Sequence, residues 1–149
     1  MSAYLDALKL LARRELSEAQ VRQRLARRGH QPDAIDEAVA RLREERALDD
    51  VRVAEAIARE QTSLRRRGKV RVRLQIERAG IDRQVARRAT DEAFESLDED
   101  AQLEASLAKR LRGRETIADD RECQRLYRYL IGQGFDPERV RAHLEKRRG

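Results

Sequence analysis

A chain of 149 residues has room for one domain or a few small ones, and with 3% aromatic residues its core must consist of Leu, Ile, Val and Ala. The net charge of +6 favours an anionic partner, and the single Cys123 excludes an internal disulfide. No apolar run approaches the roughly 20 residues of a membrane span, and no signal peptide is visible, so we expect a cytoplasmic protein that does not enter a membrane.

The first 48 residues predict three helices. Apolar residues at i, i+4 and i+7 predict a helix over about residues 3–14. The capping box Ser17–Gln20 begins a second helix, which ends at Gly29. Pro32 then lies at a position where its missing N–H costs nothing, so it begins the third helix.

The middle of the chain contains one stretch with two interpretations. Residues 70–76 alternate strictly between apolar and polar side chains, which locally predicts a strand with a basic face. Their alignment with the helix that carries Val21 and Leu25 predicts a helix instead. A lone strand would have no partner in an otherwise helical chain, and an unpaired strand is unstable. We therefore expect residues 70–76 to be helical.

A short sequence pattern recurs three times and organises the whole chain. Two apolar residues and a glycine, each one helical turn apart, occur in Val21-x3-Leu25-x3-Gly29, Val72-x3-Ile76-x3-Gly80 and Leu126-x3-Leu130-x3-Gly134. The glycine falls where a helix ends in the left-handed conformation. The three copies lie 51 and 54 residues apart, and recurrence at such intervals indicates one unit copied in tandem. We expect an all-α fold of three tandem three-helix repeats, at residues 1–48, 49–97 and 98–149, which offers a long surface rather than a pocket.

Charge is segregated along the chain. Residues 59–88 contain eleven basic and three acidic side chains, whereas residues 91–104 contain seven acids and no base. This segregation favours phosphate binding by the middle repeat over the alternative of a solvated face on an Arg-rich protein. An arginine-biased genome explains the Arg richness itself equally well. The candidate residues for binding a filament or DNA are Arg65, Arg66, Arg67, Lys69, Arg71, Arg73 and Arg78.

Two tyrosines of the third repeat are further candidates. Tyr127 and Tyr129 could stack on nucleic-acid bases, but two residues apart on a helix they cannot share one face, so we expect at least one to pack internally.

Sequence-specific DNA binding by a helix-turn-helix is disfavoured. Acidic residues occupy the positions where a recognition helix would contact base edges: Asp33, Asp36, Glu37 and Glu138.

Catalysis finds little support in the sequence. The only histidines, His30 and His143, have no paired Cys or His at metal-ligand spacing, and we expect both to be solvated on the surface. The carboxylates at 98–100 are interpreted as a helix cap, and Cys123 as a core residue. No Gly-rich phosphate loop is present. We therefore expect a protein that is not an enzyme and has no catalytic residues, metal or cofactor.

Four separate motifs, in the right order, resemble the RecX family of bacterial recombination regulators across nearly the whole chain. They are Ala7–Glu15 leading into Ser17, Leu42–Ala54, Arg67–Lys69 followed by Gln75–Ile81, and Tyr129–Phe135. Val53 and Val70 depart from the family pattern, where Phe and Pro are usual.

The resemblance implies an elongated, curved molecule of three-helix repeats that binds the RecA recombinase nucleoprotein filament and inhibits its activities, without a cofactor. We expect a monomer with weak, non-specific affinity for single- or double-stranded DNA. The alternative is a general, non-sequence-specific nucleic-acid-binding helical repeat protein.

Overall fold

The computed structural model describes all of residues 1–149, and its regular structure is helical throughout. Residues 70–76 lie within a helix, as the repeat alignment predicts, and the structure contains no strand. None of the helices has the length and apolarity that crossing a membrane requires. The nine α-helices are α1 (Ala3–Arg13), α2 (Glu18–Arg27), α3 (Pro32–Glu44), α4 (Asp50–Arg59), α5 (Lys69–Arg78), α6 (Arg83–Glu95), α7 (Glu99–Leu111), α8 (Asp120–Gly132) and α9 (Pro137–Lys146).

The apolar core is divided into three clusters, one for each set of three helices. The clusters lie within residues 3–48, 53–94 and 103–144, and each falls inside one of the three proposed repeats. We refer to α1–α3, α4–α6 and α7–α9 as the first, second and third repeat. The accessible surface is 9719 Å², whereas a compact monomer of 17.3 kDa would expose about 7800 Å². The excess is what separate small cores in an elongated molecule produce.

The helix ends follow the signals in the sequence. Ser17 and Gln20 form the predicted capping box, and Pro32 and Pro137 each begin a helix. The three pattern glycines have φ of +90° at Gly29, +82° at Gly80 and +99° at Gly134. Side chains with a Cβ rarely adopt this conformation, so glycine is strongly favoured at all three turns.

Neighbouring repeats are joined by a contact that occurs twice. The start of α2 meets the turn before α6: the Ser17 hydroxyl donates to the Ala79 carbonyl. The start of α5 meets the turn before α9 in the same way, because the Gly68 N–H donates to the Gln133 carbonyl at 2.9 Å and the Val70 N–H to the Gly134 carbonyl at 3.2 Å. The second helix of one repeat therefore begins against the glycine turn of the next.

The two junctions are packed too closely for a side chain at their glycines. A Cβ at Gly80 would lie 2.5 Å from the Ala19 Cβ, and a Cβ at Gly134 would lie 2.9 Å from the Arg71 Cα. On the opposite side of the second junction, a Cβ at Gly68 would lie 2.6 Å from the Phe135 nitrogen. Gly29, in the first repeat, has open space where its Cβ would be.

The expectation of solvated histidines is wrong. His143 is buried between α7 and α9, where its Nδ1 lies 2.6 Å from Glu104 Oε1 and its Nε2 lies 2.9 Å from Asp100 Oδ1. His30 is half-buried, and its Nε2 lies 2.6 Å from Asp6 Oδ2. Carboxylates of a neighbouring helix bind both ring nitrogens of His143 and one of His30, so each imidazole can be withdrawn from solvent.

Candidate nucleic-acid interface

The segment between α4 and α5 is shaped by an irregular helix end. After α4 the chain continues into a π-helical turn, Glu60–Leu64, in which the Arg65 N–H donates to the Glu60 carbonyl at 3.2 Å. Arg66 then adopts the left-handed conformation, with φ of +52°, and Gly68 caps α5. We call residues 65–67 the arginine loop. A left-handed residue other than glycine costs energy, so packing must hold this loop in place.

Two of the three arginines in the loop are exposed. The Arg65 guanidinium lies 4.0 Å from Glu60, at the limit of an ion pair, and Arg66 forms no ion pair. The Arg66 carbonyl accepts a hydrogen bond from the Ser106 hydroxyl of α7 at 3.3 Å, so the loop is anchored to the third repeat. Arg65 and Arg66 are therefore held close together with their charges available to an anion.

Arg67 and Arg71 differ from these two, because both are half-buried at the junction of the second and third repeats. Arg67 donates to the Gln61 side chain at 3.0 Å, and Arg71 donates to the Gly132 carbonyl at 2.7 Å. The Nε atoms of both are buried without a partner. Burial, together with the charges of Arg71 and Arg65, lowers the pKa of Arg67. Arg67, one of the candidate binding residues, is therefore less available to an anion than Arg65 and Arg66, because its side chain packs back onto the π-helical turn.

Lys69 and Arg73 lie on another side of α5, in a cleft of about 380 Å³ that we call the Lys69 cleft. The cleft also contains acids: the Lys69 amine is 3.5 Å from Glu99 and 3.9 Å from Asp91. These carboxylates compete with any incoming phosphate. Arg78 is exposed at the far end of α5. The structure thus divides the seven candidate residues among the arginine loop, the repeat junction, the Lys69 cleft and the end of α5.

The two tyrosines face different sides of α8, and an arginine covers each ring. The Arg110 guanidinium lies 3.9 Å from the centre of the Tyr129 ring, and the Arg141 guanidinium lies 5.5 Å from that of Tyr127. Arg141 also donates to the Tyr127 hydroxyl at 3.2 Å. Cation–π contacts of this kind orient both partners. The rings are half-buried, so neither is a free stacking platform.

A further basic surface was not identified from the sequence. The end of α7, the loop after it and α8 enclose an open groove of about 940 Å³, which we call the third-repeat groove. The sequence signals it by alternating arginines at 110, 112 and 114, which lie outside the basic stretch at 59–88. The cations that line it are Lys109, Arg110, Arg112, Arg114, Arg125 and Arg128.

Comparison with known proteins places the chain in a family. Residues 3–42 match the family model described as "RecX, first three-helix domain". The regulatory protein RecX of Chromohalobacter salexigens is 38% identical over 138 residues, covering 91% of this chain and 86% of that protein. The regulatory protein RecX of Halorhodospira halophila is 36% identical over 137 residues, covering 91% and 82%.

The fold agrees with the sequence comparison. The crystal structure of RecX from Lactobacillus salivarius matches 96% of this chain and 94% of its own, with a TM-score of 0.74 at 20% identity. At 20% identity this structure supports the likeness of fold alone. The family assignment rests on the two sequence relatives, each of which covers 91% of this chain. This protein belongs to the RecX family of regulatory proteins.

Proposed function

We propose that this protein is a regulator that binds the RecA nucleoprotein filament and inhibits its recombination and ATPase activities, acting as a cytoplasmic monomer without a cofactor. The observation that carries the proposal is the similarity to RecX regulatory proteins over 91% of the chain. The elongated arrangement supports it, because three joined repeats offer a surface long enough to contact neighbouring subunits of a helical filament. The sequence contains no recognisable catalytic motif, which favours a binding role.

The charge distribution suggests how such a surface meets a filament. Arg65 and Arg66 carry exposed positive charge on the second repeat, whereas Glu92 and Glu95 carry exposed negative charge at the end of α6. The acids of α7 are paired with cations of α9. A filament presents both protein and phosphate, so surfaces of opposite sign can contact different parts of it. The competing function, general non-specific nucleic-acid binding, needs only the basic surface.

The experiment that separates the two functions uses a filament that is already assembled. RecA is assembled on single-stranded DNA with ATP, this protein is added, and ATP hydrolysis is followed. A protein that competes for free DNA would spare such a filament, whereas a filament-binding regulator inhibits it. If preassembled filaments are unaffected and excess bare DNA relieves all inhibition, filament binding is wrong and the nucleic-acid-binding function replaces it.

A matched pair of variants tests the arginine loop in the same assay. The double variant Arg65→Glu/Arg66→Glu should inhibit less, most clearly at low salt where screening is weakest. Arg67 is left intact because it bonds Gln61. The control Arg13→Glu/Arg14→Glu makes the same change in net charge at exposed positions of the first repeat. Equal loss in both variants would show that only net charge matters.

A further inference from the structure

The third-repeat groove has an excess of positive charge that the protein does not compensate. Its only acid is Glu122, which is occupied: it binds Arg114 at 3.0 and 2.5 Å and accepts the Ala118 N–H at 2.8 Å. Five cations remain, and none of them has a carboxylate within the 4.0 Å of an ion pair: Lys109, Arg110, Arg112, Arg125 and Arg128. In the Lys69 cleft, by contrast, the lysine has two carboxylate partners.

The backbone brings these cations together from three segments. Helix α7 ends with two consecutive left-handed residues, Arg112 at φ +52° and Gly113 at +86°, which turn the chain sharply at the groove. Arg125 and Arg128 are three residues apart on α8, so they project on neighbouring positions of one side. A space of about 940 Å³ with dispersed charges is far larger than one phosphate group. It suits a chain of phosphates.

The groove lies close to the arginine loop along α7. Ser106, which donates to the Arg66 carbonyl, lies one turn before Arg110 on α7. Arg110 in turn covers the Tyr129 ring at 3.9 Å, at the wall of the groove. The backbone of Arg66 is therefore anchored one turn of α7 away from Arg110 in the wall of the groove. The exposed face of the Arg110 guanidinium offers a planar surface on which an unpaired base can stack.

We propose that the third-repeat groove is a binding site for the phosphate backbone of single-stranded nucleic acid, with Arg110, Arg125 and Arg128 as its principal contacts. A single strand is favoured over a duplex because it is flexible enough to follow the groove and has bases free to stack on the exposed face of the Arg110 guanidinium. The site requires no contact with the recombinase. It can therefore hold or fail independently of the proposed regulatory function.

The test measures binding of fluorescein-labelled oligothymidylate by anisotropy as a function of salt. Removing two phosphate contacts with Arg125→Ala/Arg128→Ala should reduce the slope of log K against log salt by about 1.4, since each contact contributes about 0.7 for a single strand. If the two proteins bind equally at 1 M salt, that change corresponds to about 25-fold weaker binding at 0.1 M. The control Arg13→Ala/Arg14→Ala removes the same charge from exposed positions of the first repeat and should leave the slope unchanged.

Circular dichroism must show that both variants stay helical, as expected because the substituted arginines are exposed. Equal slopes in the groove and control variants would overturn the site. A duplex of the same length that binds as tightly as oligothymidylate, and loses as much affinity in the groove variant, would overturn the assignment to single strands. Displacement of the oligonucleotide by polyglutamate at equal charge concentration would show that the groove takes an acidic protein segment instead.

Discussion

Three glycine-to-alanine substitutions separate backbone strain from close packing at the junction of the second and third repeats. At Gly29 the only cost is the left-handed conformation, because nothing lies within 4 Å of the added Cβ. At Gly68 the backbone is ordinary, with φ of −81°, but the Cβ would lie 2.6 Å from the Phe135 nitrogen. Gly134 combines φ of +99° with a Cβ 2.9 Å from the Arg71 Cα.

The expected losses in the free energy of unfolding follow from these geometries. Gly29→Ala should cost about 1–2 kcal/mol, the penalty of a left-handed residue with a Cβ. Gly68→Ala should cost about 1–3 kcal/mol, as overpacking does, because the atoms it meets belong to the backbone and cannot rotate away. Gly134→Ala should cost the sum, about 2–5 kcal/mol. That is a large part of the roughly 5–15 kcal/mol that stabilises a typical domain.

Urea unfolding followed by circular dichroism measures all three variants against the parent protein. Since the stability of a repeat protein depends on its interfaces, Gly68→Ala and Gly134→Ala should also broaden the transition as the third repeat separates from the other two. Gly29→Ala should shift the midpoint without broadening it. If Gly134→Ala costs no more than Gly29→Ala and Gly68→Ala is neutral, the junction is not closely packed and the reasoning is refuted.

Two further predictions concern single contacts. Ser17→Ala removes both the capping acceptor of α2 and the hydroxyl that donates to Ala79. It should cost about 1–2 kcal/mol in urea unfolding; an unchanged midpoint would contradict the role of this cap. Hydrogen bonds from His143 help to lower the pKa of Asp100, and those from His143 and Arg147 outweigh the effect of burial at Glu104 and lower its pKa as well. A carboxylate with a lowered pKa stabilises the fold above its unfolded-state pKa of about 4 and loses that contribution as the pH falls further. His143→Gln should therefore weaken the dependence of stability on pH below about 4, and an unchanged dependence would rule the cluster out as its source.

The helices were predictable because their signals are local. Spacing of apolar residues, capping boxes and glycines act within a few positions, so the pattern Val72-x3-Ile76-x3-Gly80 was enough to place α5 correctly against a strand-like alternation. The repeat alignment added information from distant copies of the same unit. Together they outweighed the local preference of residues 70–76.

The site was less predictable because it depends on contacts between distant residues. Arg71 bonds Gly132, which is 61 positions away, and Ser106 bonds Arg66 across 40 positions. Nothing near Arg67 in the sequence distinguishes it from Arg66, yet Arg67 packs back onto the π-helical turn and Arg66 is exposed. The burial of His143 is unpredictable from its neighbours for the same reason, since its partners lie on α7.

The two repeat junctions also determine how this molecule can deform. Each apolar core closes within its own repeat, so the connection at Gly68 and Gly134 consists of hydrogen bonds, an ion pair and close backbone packing rather than a shared core. We therefore expect bending to be easiest at the two junctions, which divide the molecule into three compact bodies. Such a linkage can adjust its pitch to a helical partner by small rotations at the joints, without exposing apolar surface.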